Sequence, residues 1–196
     1  MGDPFFPVYE LLWREIQANE HVWALLYSRD PGWDEEGSFA PDGCDNGRSQ
    51  ITIVRTSYLD PPTEPSEFLG DRTTPANIKR ELFTLAHEYG HALSWIDRDA
   101  AGSEWAKYYE ALQHQSRLVK YAGGQREILS DRLSREEKRL LIDEETRAWR
   151  LGRPFIPSEL HPEYNEAKRI GLHNHRYRLG LDELWPEDAP SGDAQR

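Results

Sequence analysis

Apolar residues fall into two kinds of rhythm along this chain. In residues 8 to 19, VYELLWREIQAN, they recur at three- and four-residue spacing and predict a first helix. HVWALLYS (21 to 28) and ITIVRTS (51 to 57) are rich in β-branched and aromatic residues and predict strands. The polar, glycine-bearing stretch between them suggests a hairpin with a long connection. Residues 59 to 73 hold three prolines and a glycine and predict loop. Helical spacing then returns four times. Thr74-Pro75, a cap followed by proline at the first helical position, opens a helix that runs to about Ile96. A second spans Ser103 to about Tyr121, stopped by Gly123-Gly124. A third begins at Ser134, where Ser134 and Glu137 form a capping-box pattern, and ends near Gly152. A last helix covers roughly 162 to 179 and meets Gly180. Two or three strands with several packing helices predict an α+β domain with a short mixed or antiparallel sheet. One domain over residues 1–186 is expected, followed by an acidic, mobile tail over 187–196.

Composition narrows the function classes. The 196 residues are 37% hydrophobic and 30% charged, ordinary values for a globular chain. A formal net charge of -11 argues against nucleic acid or an anionic membrane as partner, since phosphate backbones are gripped by basic faces. No run of about 18 apolar residues could span a bilayer, and Met1 to Trp13 is unlike a signal peptide, so a cytoplasmic location is expected. The single cysteine, Cys44, sits in a polar turn and reads as an incidental loop thiol. Of the seven tryptophans, most suit a core, and Trp33 could border a cleft.

The chemistry-bearing motif is His87-Glu88-Tyr89-Gly90-His91, an HExxH pentapeptide. Histidines four apart on a helix stack one turn apart on one face, so both imidazoles can reach one tetrahedral metal. The glutamate, turned about 100° round the helix, lies beside the metal's open position and can take a proton from bound water. Chance gives the pattern roughly once in a hundred chains of this length, so context must support it. With His87 at zero, His91, Thr84 and Glu88 fall between roughly 40° and 100°. Leu82, Leu85, Ala86, Tyr89, Ala92, Leu93 and Ile96 fall between roughly 140° and 260°. The helix therefore has one face for a core and another for the His-Glu-His group.

A catalytic zinc takes three protein ligands and keeps a fourth position for water. A ligand at Asp97 is disfavoured, because the continuing helix carries that position well off the ligand face. The helix LLIDEETRAWRLG (140 to 152) offers Glu144 and Glu145. The helical neighbours of Glu145 are Leu141, Ile142, Ala148 and Trp149, all apolar, and a carboxylate so placed is costly to bury unless a cation meets it. This slightly favours Glu145, although the two glutamates flank the apolar stripe almost equally, and either could instead pair with Arg147 or another arginine.

HEYGHAL (87 to 93), followed by Glu145-Thr-Arg-Ala148 as an E-x-x-A motif, resembles the compact bacterial gluzincins of the ImmA/IrrE type, over roughly residues 20 to 150. Two features depart from that pattern: an extra helix between the motifs, and Trp149 where the family carries Asn. The resemblance implies a zincin-like fold and a cytoplasmic zinc-dependent peptidase acting on protein or peptide substrates. His87, His91 and Glu145 would hold Zn2+, Glu88 would act as general base, and Tyr177, His173 and His175 are candidates for the donor to an oxyanion. ITIVRTS is the candidate edge for an extended peptide. The alternative function is a catalytically silent zinc-binding regulatory protein.

Overall fold

The computed structural model describes residues 4–29, 37–41, 48–56, 75–97, 103–121 and 132–181. Cys44, Trp33, the loop over 59–73, the Gly123-Gly124 stop, Thr74 and the tail after Pro186 lie outside the described residues.

Helix α1 (Phe6–Ala18) starts with Pro7 in its first turn and buries Tyr9, Leu12 and Ile16, three positions on one stripe. Its end turns directly into strand β1 (Val22–Arg29). Strand β2 (Gly37–Ala40) has four residues and strand β3 (Ser49–Thr56) has eight. The sheet order is β1-β3-β2. Here the expected hairpin is corrected. β1 and β3 run parallel, with Ala24 opposite Ile51, while β2 pairs antiparallel to β3, with Phe39 opposite Ile51. The chain passes from β1 to the far edge, returns along β2, and enters the centre as β3. The sheet is therefore mixed, and β3 is not an edge. On the central strand Ile51 and Ile53 are fully buried while the alternating Gln50 and Thr52 are not, the period-two pattern of a sheet with one covered face.

That face is covered by α1 and by helix α2 (Pro75–Ile96). Ile78, Leu82, Leu85, Ala86, Tyr89 and Ala92 of α2 join Val22, Ala24, Ile51 and Ile53 in the main core. Helix α3 (Ser103–Tyr121) and helix α4 (Arg135–Gly152) follow. The predicted capping box is present at the start of α4: the Ser134 hydroxyl accepts from the Glu137 amide, and the Glu137 carboxylate accepts from the Ser134 amide. Two short 3-10 turns (Arg153–Phe155 and Ser158–Leu160) lead into helix α5 (His161–Arg178). Gly180, at a φ of 64°, takes the left-handed conformation just past the end of α5. A second, smaller apolar cluster joins α3 to α4 through Ala111, Leu133, Leu141, Ile142 and Leu179.

Helices α2 and α4 cross at unusually close range, and two glycines explain it. A Cβ on Gly90 would meet the Ala148 carbonyl oxygen at 2.0 Å, and one on Gly152 would meet the Ala86 carbonyl oxygen at 2.1 Å. Backbone thus faces backbone at both ends of the crossing, and each glycine is matched by an alanine. This contact sets the height at which residues 144 and 145 stand over His87 and His91. No helix among the described residues is long and apolar enough to cross a membrane.

Candidate metal centre

Both faces of α2 are covered. Its apolar stripe packs on the sheet, and the opposite face lies under α4, so that His87, Glu88 and His91 are all buried. α4 places the Glu145 carboxylate against both histidines. Glu145 Oε2 stands 3.2 Å from His87 Nε2, and Oε1 stands 3.6 Å from His91 Nε2. One ligand atom from each of the three residues lies within 4.8 Å of the other two, and the group could hold a metal ion. Glu144 instead approaches the far side of His91, with Oε1 at 3.6 Å from Nδ1. Of the two glutamates, Glu145 is the one that joins both histidines in the group able to hold a metal ion. The ion pairs of both run to histidines and not to Arg147.

Each imidazole is also held through its faces. His87 stacks on Trp149 at 4.4 Å between centroids and 29° between planes. His91 lies nearly parallel to Phe39 of β2 at 6.1 Å, and the two histidines meet edge to face at 4.7 Å. Phe39 shares its sheet face with Ile51, directly opposite it on β3, so the sheet edge forms one wall of the site.

From α5 comes His175, whose Nε2 is 3.5 Å from Glu145 Oε2. Gly171, Asn174, His175 and Arg178 of α5 line the same cleft of about 650 Å³ as the His-Glu-His group. They recur at i, i+3, i+4 and i+7, one helical face. Tyr177 is not brought to the site: it is 74% exposed and absent from the cleft lining. It lies about 200° round the helix from His175, which turns it to solvent. His173 is exposed as well.

The electrostatics follow from crowding these groups out of water. Burial pushes the Glu145 carboxyl up, but His91, His175 and His87 together outweigh it and hold its pKa well below the usual value. Burial likewise opposes charge on His91, and Glu145, Glu144 and Glu88 overrule it, raising its pKa well above 6.5. His87 is lowered, chiefly by burial, with His91 and His175 adding to the effect. Tyr108 of α3 also lines the cleft; burial first, then Glu144, Glu145 and Glu88, raise its pKa well above 10, so it remains a donor. Two buried atoms of the site are left without a hydrogen bond, Glu145 Oε2 and His87 Nδ1. A buried carboxylate oxygen ringed by imidazole nitrogens but bonded to none is a placement that a cation between them satisfies.

Sequence reasoning did not find Tyr108, Phe39 or the stacking role of Trp149. Tyr108 belongs to the helix that looked like an insertion, and only the tertiary fold brings it over the carboxylates. The fold and site together define an α+β protein with a buried group of two histidines and one glutamate able to take a metal ion. No family model, no curated protein and no solved structure matches the chain.

Proposed function

We propose that the chain is a zinc-dependent metallopeptidase with a zincin-like fold of the minimal gluzincin kind, as its resemblance to the ImmA/IrrE type implies. One observation carries the reading. A carboxylate from a separate helix, in the place of a third ligand, meets both HExxH histidines on their Nε2 atoms at 3.2 and 3.6 Å, with Glu88 beside them on the same cleft. The separations fit zinc, since two ligand atoms bonded at about 2.0–2.2 Å to a tetrahedral ion lie about 3.3–3.6 Å apart. Two nitrogens and one carboxylate also match the donor set of catalytic zinc sites that keep a position open.

Zinc bound there supplies a Lewis acid that acidifies water and polarises a carbonyl. Glu88, buried and facing the cleft, takes the proton from the attacking water and passes it to the leaving amine. His175 replaces Tyr177 as the proposed donor to the developing oxyanion, and Tyr108 is a second donor on the opposite wall. The substrate is a protein or peptide segment in extended form. Among the described residues no strand pairs with the outer edge of β2, whose Ser38 and Phe39 line the cleft, so β2 rather than β3 offers the edge for strand addition.

The test compares zinc-loaded wild type with Glu88→Gln on a degenerate peptide library read by mass spectrometry. Wild type is expected to cleave, and Glu88→Gln to keep one equivalent of zinc while losing at least about a hundredfold in rate. A Glu88→Gln protein that cleaves as fast as wild type removes Glu88 as the base. A zinc-loaded wild type that cleaves nothing in the library supports the silent zinc-binding alternative.

A further inference from the structure

The adjacent glutamates of α4 address different nitrogens of one ring. Glu145 faces Nε2 of His91 and Glu144 faces Nδ1, each at 3.6 Å. Glu144 is only 7% exposed, as buried as the histidines themselves. A carboxylate at that depth is costly unless a partner meets it. The cavity on its other side is lined by Arg139 and Arg147, yet neither comes within ion-pair distance of it, and His91 is its one such partner among the described residues. Nor is His87 treated the same way. Its Nδ1 is buried without a hydrogen bond, and its ring is steadied by Trp149 instead. So both rings are stacked on an aromatic neighbour, and His91 alone also has a carboxylate at its outer nitrogen.

We propose that Glu144 is a positioning residue of the metal centre: its carboxylate, facing Nδ1 of His91 at 3.6 Å, keeps the proton on that nitrogen and thereby fixes the tautomer and ring angle that present Nε2 to the metal. The proposal rests on the metal-site reading above. A carboxylate on the outer nitrogen of a metal-bound imidazole selects the tautomer and raises the basicity of the ligating nitrogen, and losing such a partner costs about 10- to 100-fold in metal affinity.

The experiment measures the zinc dissociation constant by competition with a chromophoric chelator for wild type, Glu144→Ala and Glu144→Gln, with the cobalt(II) absorption spectrum as a second readout. Glu144→Ala is expected to bind zinc about 10- to 100-fold more weakly and to shift the cobalt spectrum. Glu144→Gln, whose amide oxygen still accepts a hydrogen bond, is expected to recover part of the affinity, ending about three- to tenfold below wild type. Should Glu144→Ala fail to fold, an isosteric Glu144→Gln with wild-type affinity and an unchanged cobalt spectrum overturns the proposal. So does Glu144→Ala binding as tightly as wild type, or Glu144→Gln binding no better than Glu144→Ala. A wild type that takes up no zinc instead removes the metal reading itself.

Discussion

Gly90→Ala perturbs the site without touching a proposed ligand. The new Cβ would stand 2.0 Å from the Ala148 carbonyl oxygen and 2.7 Å from the carbonyl carbon, both backbone atoms that no rotamer change can move. Restoring ordinary contact at about 3.4 Å requires α2 and α4 to separate by roughly 1.4 Å, and close-packed helices resist this. Overpacking of this kind costs about 1–3 kcal/mol, against which alanine returns up to about 1 kcal/mol of helix propensity. A net loss of about 2 kcal/mol lowers the melting temperature of a chain this size by roughly 4–8 °C. The effect on metal should be larger in proportion. Metal–ligand distances tolerate only about 0.2 Å, so a shift of the helix carrying Glu145 should weaken zinc binding by at least about 100-fold. The assay is thermal melting with chelator and with zinc, paired with competition titration. Gly171→Ala is the control, since its Cβ meets the Trp149 side chain at 3.2 Å and no backbone. A Gly90→Ala protein that melts and binds zinc like wild type would show that the helix crossing does not set the site geometry.

Two further perturbations test the site wall and the start of α4. Trp149, 8% exposed and stacked on His87, also packs 5.0 Å from Tyr164; Trp149→Ala should cost about 3–5 kcal/mol in urea unfolding, and Trp149→Phe markedly less. Equal unfolding midpoints for the two would refute the packing role. At the capping box, His114 and then Ser134 hold the Glu137 carboxyl at about 2 instead of 4.5. A depressed acid stabilises the fold fully above pH 4.5 and progressively less as pH falls toward 2. The side chain keeps 26% exposure, so screening limits the effect to about 1 kcal/mol. Acid titrations of stability for wild type and Glu137→Ala should converge as pH falls through that window, and parallel curves would exclude the contribution.

The helices are legible because their signals are local. The expected spans 74–96, 103–121 and 134–152 agree with Pro75–Ile96, Ser103–Tyr121 and Arg135–Gly152 to within a residue at each end. Proline, capping box and glycine act on their own neighbours, so they can be read without knowing the fold. Strand pairing is not local. The stretches around β1 and β3 are visible as strands, but their direction depends on β2, four residues of Gly-Ser-Phe-Ala with no periodicity to mark them. Once that strand is inserted, β3 becomes central, and the edge beside the cleft belongs to a segment that composition alone assigns to loop.

The metal group divides along the same line. HExxH announces itself because a single helix supplies both histidines and the proposed base. The third position does not, because Glu144 and Glu145 are adjacent, about 100° apart on a helix, and bordered by the same apolar stripe. Periodicity shows two carboxylates that both need a partner, and both are in fact drawn to His91. What separates them is the depth of the crossing, set by Gly90 against Ala148 and Gly152 against Ala86. At that depth Glu145 reaches both Nε2 atoms while its neighbour is left to the outer nitrogen. Two small residues, neither bearing any chemistry, thus set which glutamate faces both Nε2 atoms and which faces Nδ1 of His91.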